Sequence, residues 1–261
     1  MAAPVQISSA ENPLYRTVKK LIGSARERRK AQQAVLDGWH LLEACTQAHG
    51  APERILLAAR AVPGVEAQRL LATADPRGIA VIDDKLFDAL APVEAPSGVL
   101  SLIAIPAPAK RAARFCLLLE DIQDPGNLGS MLRTAAAAGA DNVHLSKGCA
   151  DVWSPKALRG GMGAQFQLAL HEHADLIAVA QEFPGKLIAT SPAASDSLYD
   201  LDMTGKIAFM FGNEGSGLSE ELLALASHRI RIPMPGRVES LNAAAAAAIC
   251  LFERVRQVGA G

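Results

Sequence analysis

The chain has 261 residues, half of them hydrophobic, and carries a formal net charge of −1. This composition excludes an intrinsically disordered chain and a protein whose whole surface is basic, and the length allows one large domain or two modest ones. Only 4% of the residues are aromatic, so base stacking on exposed aromatic side chains is not expected to dominate any binding.

The N-terminal segment, the cysteines and the apolar runs all bear on the compartment. The first residues lack a basic start followed by an apolar stretch, so we expect no signal peptide. The cysteines at positions 45, 116, 149 and 250 have no metal-ligand spacing, which favours reduced thiols. The longest low-polarity run, residues 243–252, is too short to span a bilayer. We therefore expect a cytoplasmic protein.

The first predicted elements are helices with a basic surface. From about residue 14 to residue 50, apolar residues recur at helical spacing, which predicts two helices. Residues 11–40 contain seven basic and three acidic residues, a local excess of four positive charges. Such a run can be a solvated helix face or a surface that contacts nucleic-acid phosphates. The candidate phosphate contacts are Arg26, Arg28, Arg29 and Lys30.

Strands and helices then alternate, as in a small α/β unit. We predict strands at residues 54–58, 79–82 and 99–105, with helices near 65–74 and 85–90. Residues 106–113 contain two prolines among small and charged residues, which is typical of a linker. The predicted domains are therefore residues 1–108 and 109–261.

A second α/β series follows the linker. The apolar run at residues 115–119 is typical of a parallel strand covered on both faces. Further strands are predicted at 142–146, 186–190, 207–211 and 229–232, with helices at 128–138 and 241–257. In such sheets, ligands bind at the carboxyl ends of the strands. The fold class predicted here is therefore α/β with a parallel sheet.

Polar residues follow three of these strands. In residues 119–134, Arg133 lies on a helix that is otherwise small and apolar, so it is either a surface residue or has an anionic partner. Residues 209–219 form a glycine-rich turn around Glu214, which has neither the spacing of a dinucleotide fingerprint nor a Walker lysine. In residues 230–242 a proline-bounded loop ends at Ser240 and Asn242, either of which could simply cap the next helix.

Together and in this order, the three segments resemble the motifs of the SpoU (TrmH-type) RNA ribose methyltransferases of the SPOUT class. The matching residues are Asn127, Gly129, Arg133 and Thr134 in the first motif, Gly212, Glu214, Gly217, Leu218 and Ser219 in the second, and Ile232, Pro233, Met234, Gly236, Ser240, Leu241 and Asn242 in the third. The resemblance covers residues 115–257. Two departures are Ala243, where the family usually has serine, and Asp37 before Gly38, where it often has glutamate.

The resemblance implies a methyltransferase that uses S-adenosylmethionine, without a metal, to methylate a ribose 2′-hydroxyl of RNA. It implies a C-terminal SPOUT domain with a trefoil knot and a smaller N-terminal substrate-binding domain of the ribosomal-protein-like α/β type. Such an N-terminal domain favours ribosomal RNA over transfer RNA. The family also implies a homodimer, in which the first-motif helix and the last helix pack against their copies and each site borrows from the partner.

The resemblance also assigns roles to residues of this chain. The methyl donor would contact Gly212, Ile232, Met234, Gly236 and Leu241. The catalytic residues would be Asn127, Arg133, Glu214 and Asn242. Arg133 would either handle the hydroxyl proton or bind a phosphate and stabilise the forming alkoxide. The two asparagines would orient the ribose or the arginine, and Glu214 would hold Arg133 in place.

Two functions of other classes stay open from the residues alone. One is a non-catalytic RNA-binding protein with a degenerate methyltransferase domain, although the joint presence of all four catalytic candidates disfavours it. The other is a nucleotide-dependent enzyme with an unusual glycine loop. The lack of an acidic residue about 20 positions beyond a proper fingerprint disfavours that reading.

Overall fold

The structure is a computed structural model that describes residues 4–91, 96–191, 194–238 and 240–259. The chain divides into two compact units. The first comprises Met1–Ala107 and Trp153–Phe166, and the second comprises Pro108–Val152 and Gln167–Gly261. Within the described ranges, no helix combines the length and the apolar character needed to cross a membrane. The predicted division into a substrate-binding and a methyltransferase domain at residue 108 stays a prediction.

The first unit is a mixed sheet with helices on both faces. Its elements are β1 (Val5–Ile7), α1 (Pro13–Gly23), α2 (Ala25–Ala31), β2 (Gln33–Asp37), α3 (Trp39–His49), β3 (Arg54–Ala58), α4 (Val65–Thr73), β4 (Ile79–Ile82), α5 (Asp84–Leu90), β5 (Val99–Ala104) and α7 (Pro155–Gly161). The strand order is β1-β4-β3-β5-β2, and β5 is antiparallel to both of its neighbours. One core contains Tyr15, Val18 and Phe87 from helices α1 and α5, and a second contains Leu42 and Ala67 from α3 and α4.

The prediction of two helices between residues 14 and 50 is wrong, because this region contains the three helices α1, α2 and α3 and a strand. Strand β2 interrupts the helical region, and Val35 is part of this strand. Gln32 ends α2 in a left-handed conformation with φ of 52°, which stops the helix. The contiguous run Ala34, Val35 and Leu36 is buried, as in a strand covered on both faces. Three apolar residues fit a helical pattern as well as a short strand, so periodicity alone could not separate the two.

The second unit is a parallel α/β sheet, which confirms the predicted fold class. Its elements are β6 (Phe115–Leu119), α6 (Pro125–Ala137), β7 (Asn142–Leu145), β8 (Ala169–His171), α8 (Leu176–Glu182), β9 (Lys186–Thr190), β10 (Asp196–Ser197), β11 (Ile207–Phe211), α9 (Glu220–Leu225), β12 (His228–Arg231) and α10 (Ala243–Val258). In the described part of the chain, seven strands pair in parallel in the order β10-β12-β9-β11-β6-β7-β8.

Helices cover both faces of this second sheet. On one face, Cys116 and Met210 pack with Leu176 of α8 and Leu222 of α9. Because successive strand residues point to opposite faces, Phe115 faces the other side. There the Arg254 guanidinium of α10 lies 4.3 Å from the centroid of the Phe115 ring, and α10 packs against α6. Strands β6 and β11 are buried throughout, as their apolar sequences predict.

Candidate active site

The three predicted segments follow strands β6, β11 and β12, which all run in the same direction in one sheet. Their carboxyl ends therefore lie along one edge of that sheet, where ligands of open α/β folds collect. Residues 120–124, 212–219, 232–238 and 240–242 lie at this edge. Asn127 and Asn242 are 115 positions apart in the sequence, and their side chains are hydrogen-bonded to each other there.

Helix α6 begins at Pro125, three residues earlier than predicted. The Asp124 carboxylate caps this end by accepting a hydrogen bond from the Asn127 amide at 2.8 Å. Proline suits the first helical position because its missing amide hydrogen would have no partner there. Asn127 therefore lies in the first turn of a helix rather than in the preceding turn, and its side chain is held near the sheet edge.

Three of the four predicted catalytic residues are joined by hydrogen bonds. The Asn127 side-chain amide donates to a Glu214 carboxylate oxygen at 3.0 Å. The Asn242 side-chain amide donates to the Asn127 carbonyl oxygen at 2.9 Å. Asn242 also caps α10, since its own carbonyl oxygen accepts from the amides of Ala244 and Ala245. The sequence alternative that Asn242 caps the helix is thus compatible with its place in this network.

Glu214 accepts hydrogen bonds from two further groups, the backbone amides of Gln123 and Asp124 at 3.3 and 3.4 Å. Partial burial acts to raise the pKa of Glu214, but the hydrogen bonds donated by Asn127 and by backbone amides outweigh it and lower the pKa. The N-termini of α6 and α10, each with a partial positive charge, also meet here. Glu214 is therefore ionised at neutral pH and acts as an acceptor.

Gly212 allows the tight loop that presents Glu214. A Cβ added to Gly212 would lie only 2.2–2.3 Å from the backbone of Gly217 and Leu218, so no other residue fits without moving the chain. The backbone amide and carbonyl of Asn213 bond with those of Gly217 and close the loop. Gly217 itself has a φ of +74°, which glycine adopts at little cost.

The third segment has main-chain groups beside apolar side chains. Among the described residues, 233–238 make no backbone–backbone hydrogen bond. Ile232 and Met234 are half-buried, while Gly236 has open space around the position of a Cβ. Leu241 is 38% exposed, directly before Asn242. Unpaired amides and carbonyls next to apolar surface suit the edge and face of an adenine, so these residues fit the implied methyl donor.

Arg133 lies outside the network. It is exposed on α6, and the six residues from Asn127 correspond to a rotation of about 600°, which places the two side chains about 120° apart around the helix. In the part of the chain that the structure describes, its guanidinium forms no hydrogen bond or ion pair. The prediction that Glu214 holds Arg133 in place is therefore wrong within one chain. Glu214 holds Asn127 instead.

Comparison with known proteins agrees with these motifs. The model of the SpoU rRNA Methylase family matches residues 114–252. The chain belongs to this family. It is 35% identical to an uncharacterized tRNA/rRNA methyltransferase of Synechocystis sp., over 96% of this chain and 93% of the relative. It is 31% identical to the 23S rRNA (guanosine(2553)-2′-O)-methyltransferase RlmP of Bacillus subtilis, over 95% and 98% of the two chains.

A solved structure of the same family also matches along the whole chain. The SpoU methyltransferase AviRb of Streptomyces viridochromogenes, in complex with the cofactor AdoMet, has a TM-score of 0.83 and 26% identity. The match covers 96% of this chain and 100% of AviRb. The resemblance inferred from the three sequence motifs is thereby confirmed.

The four residues that were predicted to contact RNA differ in their exposure to solvent. Arg26, Arg29 and Lys30 are exposed on α2. Arg28 is only 5% exposed, and its guanidinium donates to the carbonyl oxygens of Leu21 and Ile22, the latter at 3.1 Å. These carbonyls belong to the last turn of α1, which otherwise leaves them without partners. Arg28 is therefore a structural residue, and its prediction as a phosphate contact is wrong.

Sequence reasoning missed the backbone donors at the site. Gln123 and Asp124 reach Glu214 only through their amides, which no residue type reveals. One signal was present, because aspartate followed by proline is the typical start of a helix and predicts the capping position at Asp124. Asn213 was also missed. Its side-chain oxygen accepts from the amides of Gly215 and Ser216 and so shapes the turn.

Proposed function

We propose that this chain transfers the methyl group of S-adenosylmethionine to a ribose 2′-hydroxyl of RNA, and that this RNA is ribosomal. The observation that carries the proposal is the hydrogen-bonded set Asn127, Glu214 and Asn242 at the sheet edge where all three motifs meet. The relatives named as 23S rRNA 2′-O-methyltransferases support ribosomal RNA as the substrate class.

The residues that would hold the methyl donor are those at the ends of β11 and β12. Gly212, Ile232, Met234, Gly236 and Leu241 offer main-chain groups and apolar surface there. The bound donor supplies a methyl group on a positively charged sulfonium, which is already activated toward nucleophiles. The protein therefore has to position the hydroxyl and assist the loss of its proton rather than activate the methyl group.

The asparagines have the geometry of positioning groups. Each side-chain amide uses one hydrogen in the network, so each has a second N–H that can donate to a ribose oxygen. The ionised Glu214 fixes which way the Asn127 amide faces, and Asn127 in turn fixes Asn242. Donors held in place before the substrate arrives need no reorganisation during the reaction.

Arg133 acts, in this proposal, on the site of a second copy of the chain. It is exposed on α6, and α6 packs with α10 on one side of the sheet. Phe252 on α10 is 47% exposed, which gives this side an apolar surface for a partner. In a two-fold homodimer each Arg133 would reach across to the other site, either to take the proton or to clamp a phosphate.

Three further parts of the proposal concern the whole chain. Asn242 follows β12 in the sequence and its side chain is bonded to Asn127 at the start of α6, so the chain returns to the end of β6 as the proposed trefoil knot requires. The first unit would bind the RNA substrate through the exposed side chains of α2. We place the enzyme in the cytoplasm, where the free cysteines at positions 45, 116, 149 and 250 stay reduced.

The direct test is transfer of a labelled methyl group to purified ribosomal RNA or transfer RNA. The proposal expects label in ribosomal RNA, in a nucleotide whose 3′ phosphodiester resists alkali because the 2′-hydroxyl is blocked. Label in transfer RNA alone would show that the substrate is transfer RNA and not ribosomal RNA. Donor binding without transfer to either RNA would indicate a degenerate, RNA-binding member of the family.

A further inference from the structure

The loop between β6 and α6 is held by residues outside the three motifs. Asp121 lies in this loop with a φ of 53°, a left-handed conformation that is uncommon for any residue except glycine. Its backbone amide donates to the Ser146 hydroxyl at 2.9 Å, and the same hydroxyl donates to the Asp121 carboxylate. Ser146 directly follows β7, so this pair joins the ends of two adjacent strands.

The surroundings of the carboxylate are fitted to it. A Cβ added to Gly148 would lie 2.1–2.8 Å from atoms of the Asp121 carboxyl group, so only glycine leaves room at that position. The backbone amide of Ala150 donates to the carbonyl oxygen of Ile122 at 2.8 Å. The loop that follows β7 therefore contacts the loop that follows β6 at two successive residues.

The other side of the Asp121 loop is tied to the Glu214 loop. The Asn213 side-chain amide donates to the Asp121 backbone oxygen at 2.9 Å. The next residue, Glu214, accepts from the amides of Gln123 and Asp124, two and three positions beyond Asp121. The conformation at Asp121 thus decides whether those amides point at Glu214.

We propose that Asp121 is a positioning residue for methyl transfer. Its carboxylate, bonded to Ser146 and packed on Gly148, fixes the loop that presents two backbone amides to Glu214. Through Glu214 it sets the orientation of Asn127 and Asn242. This inference rests on the proposed function for its kinetic consequence, while its structural consequence can be measured without any reaction.

Three substitutions separate the carboxylate from the backbone conformation. Asp121→Asn keeps an oxygen that accepts from Ser146 and tolerates the left-handed conformation well, so it should retain most of the activity. Asp121→Gly adopts that conformation freely but has no carboxylate, and Asp121→Ala lacks both advantages. We expect the glycine and alanine variants to lower kcat by about tenfold or more, since small misplacements in an active site have large effects on rate. The donor Kd should change by less than about threefold.

The matched control is Asp175→Ala, which removes another capping carboxylate in the same unit. Asp175 accepts hydrogen bonds from the amides of Ile177 and Ala178 at the start of α8, and among the described residues its carboxylate is not hydrogen-bonded to the Asp121 loop or the Glu214 loop. Its loss should lower the melting temperature as a lost helix cap does, while kcat measured well below that temperature stays unchanged.

Amide hydrogen exchange, resolved by residue, gives the second readout. The amides of Gln123 and Asp124 should exchange at least about tenfold faster in the alanine and glycine variants, and at the wild-type rate in Asp121→Asn and Asp175→Ala. Normal kcat in Asp121→Gly would overturn the role of the carboxylate. Slow turnover with unchanged exchange would overturn the positioning of the loop. If the wild-type chain methylates no RNA, the proposed function fails, and the exchange rates still decide whether Asp121 orders the loop.

Discussion

At the scale of single residues, the site depends on hydrogen bonds that fix the direction of each amide. The Asn127 side chain donates to Glu214 and accepts from Asn242, so both of its ends are assigned. The carbonyl oxygen of Asn242 accepts from the start of α10. Because Glu214 holds one end of this hydrogen-bonded set and the start of α10 holds the other, the two side-chain amides have one arrangement. Such an arrangement suits groups that must meet a ribose hydroxyl at a defined angle.

Arg133 gives the first prediction at this scale. Arg133→Ala should leave donor affinity nearly unchanged and lower the methyl-transfer rate by at least about 100-fold, the usual scale for losing proton-transfer or oxyanion help. Arg133→Lys should restore little, because an ammonium cannot replace the planar guanidinium. Arg69→Ala, which also removes an exposed helical arginine, is the control. Single-turnover rates near the wild-type value would make Arg133 an ordinary surface residue.

Sequence patterns identified individual polar residues better than their partners. Asn127, Glu214 and Asn242 are recognisable because their motifs are short and local. Their connection depends on the sheet order, which brings the ends of β6, β11 and β12 together. The wrong pairing of Glu214 with Arg133 within one chain has the same origin, since opposite charges suggest an ion pair but the position of Arg133 around helix α6 turns it away from Asn127 and the Glu214 loop.

At the scale of elements, α2 shows how burial divides a run of like charges. Arg26 and Lys30 are exposed, whereas Arg28 is bonded to the end of α1. A basic run that is fully solvated and one in which a single arginine is buried can have the same sequence. The sequence therefore does not show that Arg28, unlike its basic neighbours, is buried. The side chain of Arg28 can satisfy α1 only because the chain turns sharply between α1 and α2 at Ser24.

This division predicts different effects on RNA binding and on stability. Arg26→Gln with Lys30→Gln should weaken RNA binding and reduce the salt slope of log K by roughly 0.7 to 0.9 for each phosphate that the variant no longer neutralises. Arg28→Gln should instead lower the free energy of unfolding by about 1–3 kcal/mol, because buried carbonyls lose a charged donor. Arg69→Gln with Lys85→Gln is the charge-matched control, measured by filter binding at several salt concentrations. If the salt slope of log K is the same in both double variants, the basic side chains of α2 do not contact RNA phosphates and form an ordinary solvated face.

Strands β7 and β8 carry a titratable pair at the edge of the sheet. His144 and His171 are opposite each other in the parallel register, and their rings stack with centroids 4.6 Å apart. Burial, and to a smaller extent the nearby His171, lower the pKa of His144 to about 4. Burial also lowers the pKa of His171. Both rings are therefore neutral in the folded chain at neutral pH.

The stability of this edge should depend on pH. An unfolded histidine takes up a proton near pH 6.5, before His144 does in the folded state. Between about pH 6.5 and pH 4 the unfolded chain thus binds more protons, so the free energy of unfolding falls as the pH is lowered through this range. His144→Gln should flatten that dependence in denaturant titrations, and the same substitution at exposed His40 serves as the control. If the free energy of unfolding of His144→Gln depends on pH as strongly as that of the wild type, His144 is not the source of this dependence.

At the scale of the whole molecule, the longer apolar elements of both units were predictable and several of the shortest strands were not. The apolar run of β6 and the alanine-rich α10 have unambiguous patterns. Short strands such as β1, β2 and β8 do not, because three to five residues carry too little periodicity. The segment Trp153–Phe166 follows β7 in sequence yet belongs to the first unit, which no local pattern indicates.

The proposed homodimer is a prediction about the surface of α10. Phe252 is 47% exposed on this helix, and the alanines at 243–248 allow a second helix to approach closely. Phe252→Glu places a charge in the proposed interface and should convert a dimer into monomers at micromolar concentration in sedimentation equilibrium. Val65→Glu, on an α4 side chain that is 73% exposed, should leave the mass unchanged. A wild-type mass of 27.4 kDa would refute the dimer.

The central claim is that the set of Asn127, Glu214 and Asn242 forms the catalytic centre of an RNA methyltransferase. The most direct measurement is the single-turnover rate of methyl transfer to ribosomal RNA for wild type and Asn127→Ala, with donor affinity measured by calorimetry on the same samples. We predict a rate at least about 100-fold lower with a donor Kd within about threefold of wild type, because the lost groups act on the hydroxyl and not on donor binding. A variant that transfers the methyl group at the wild-type rate would contradict the claim.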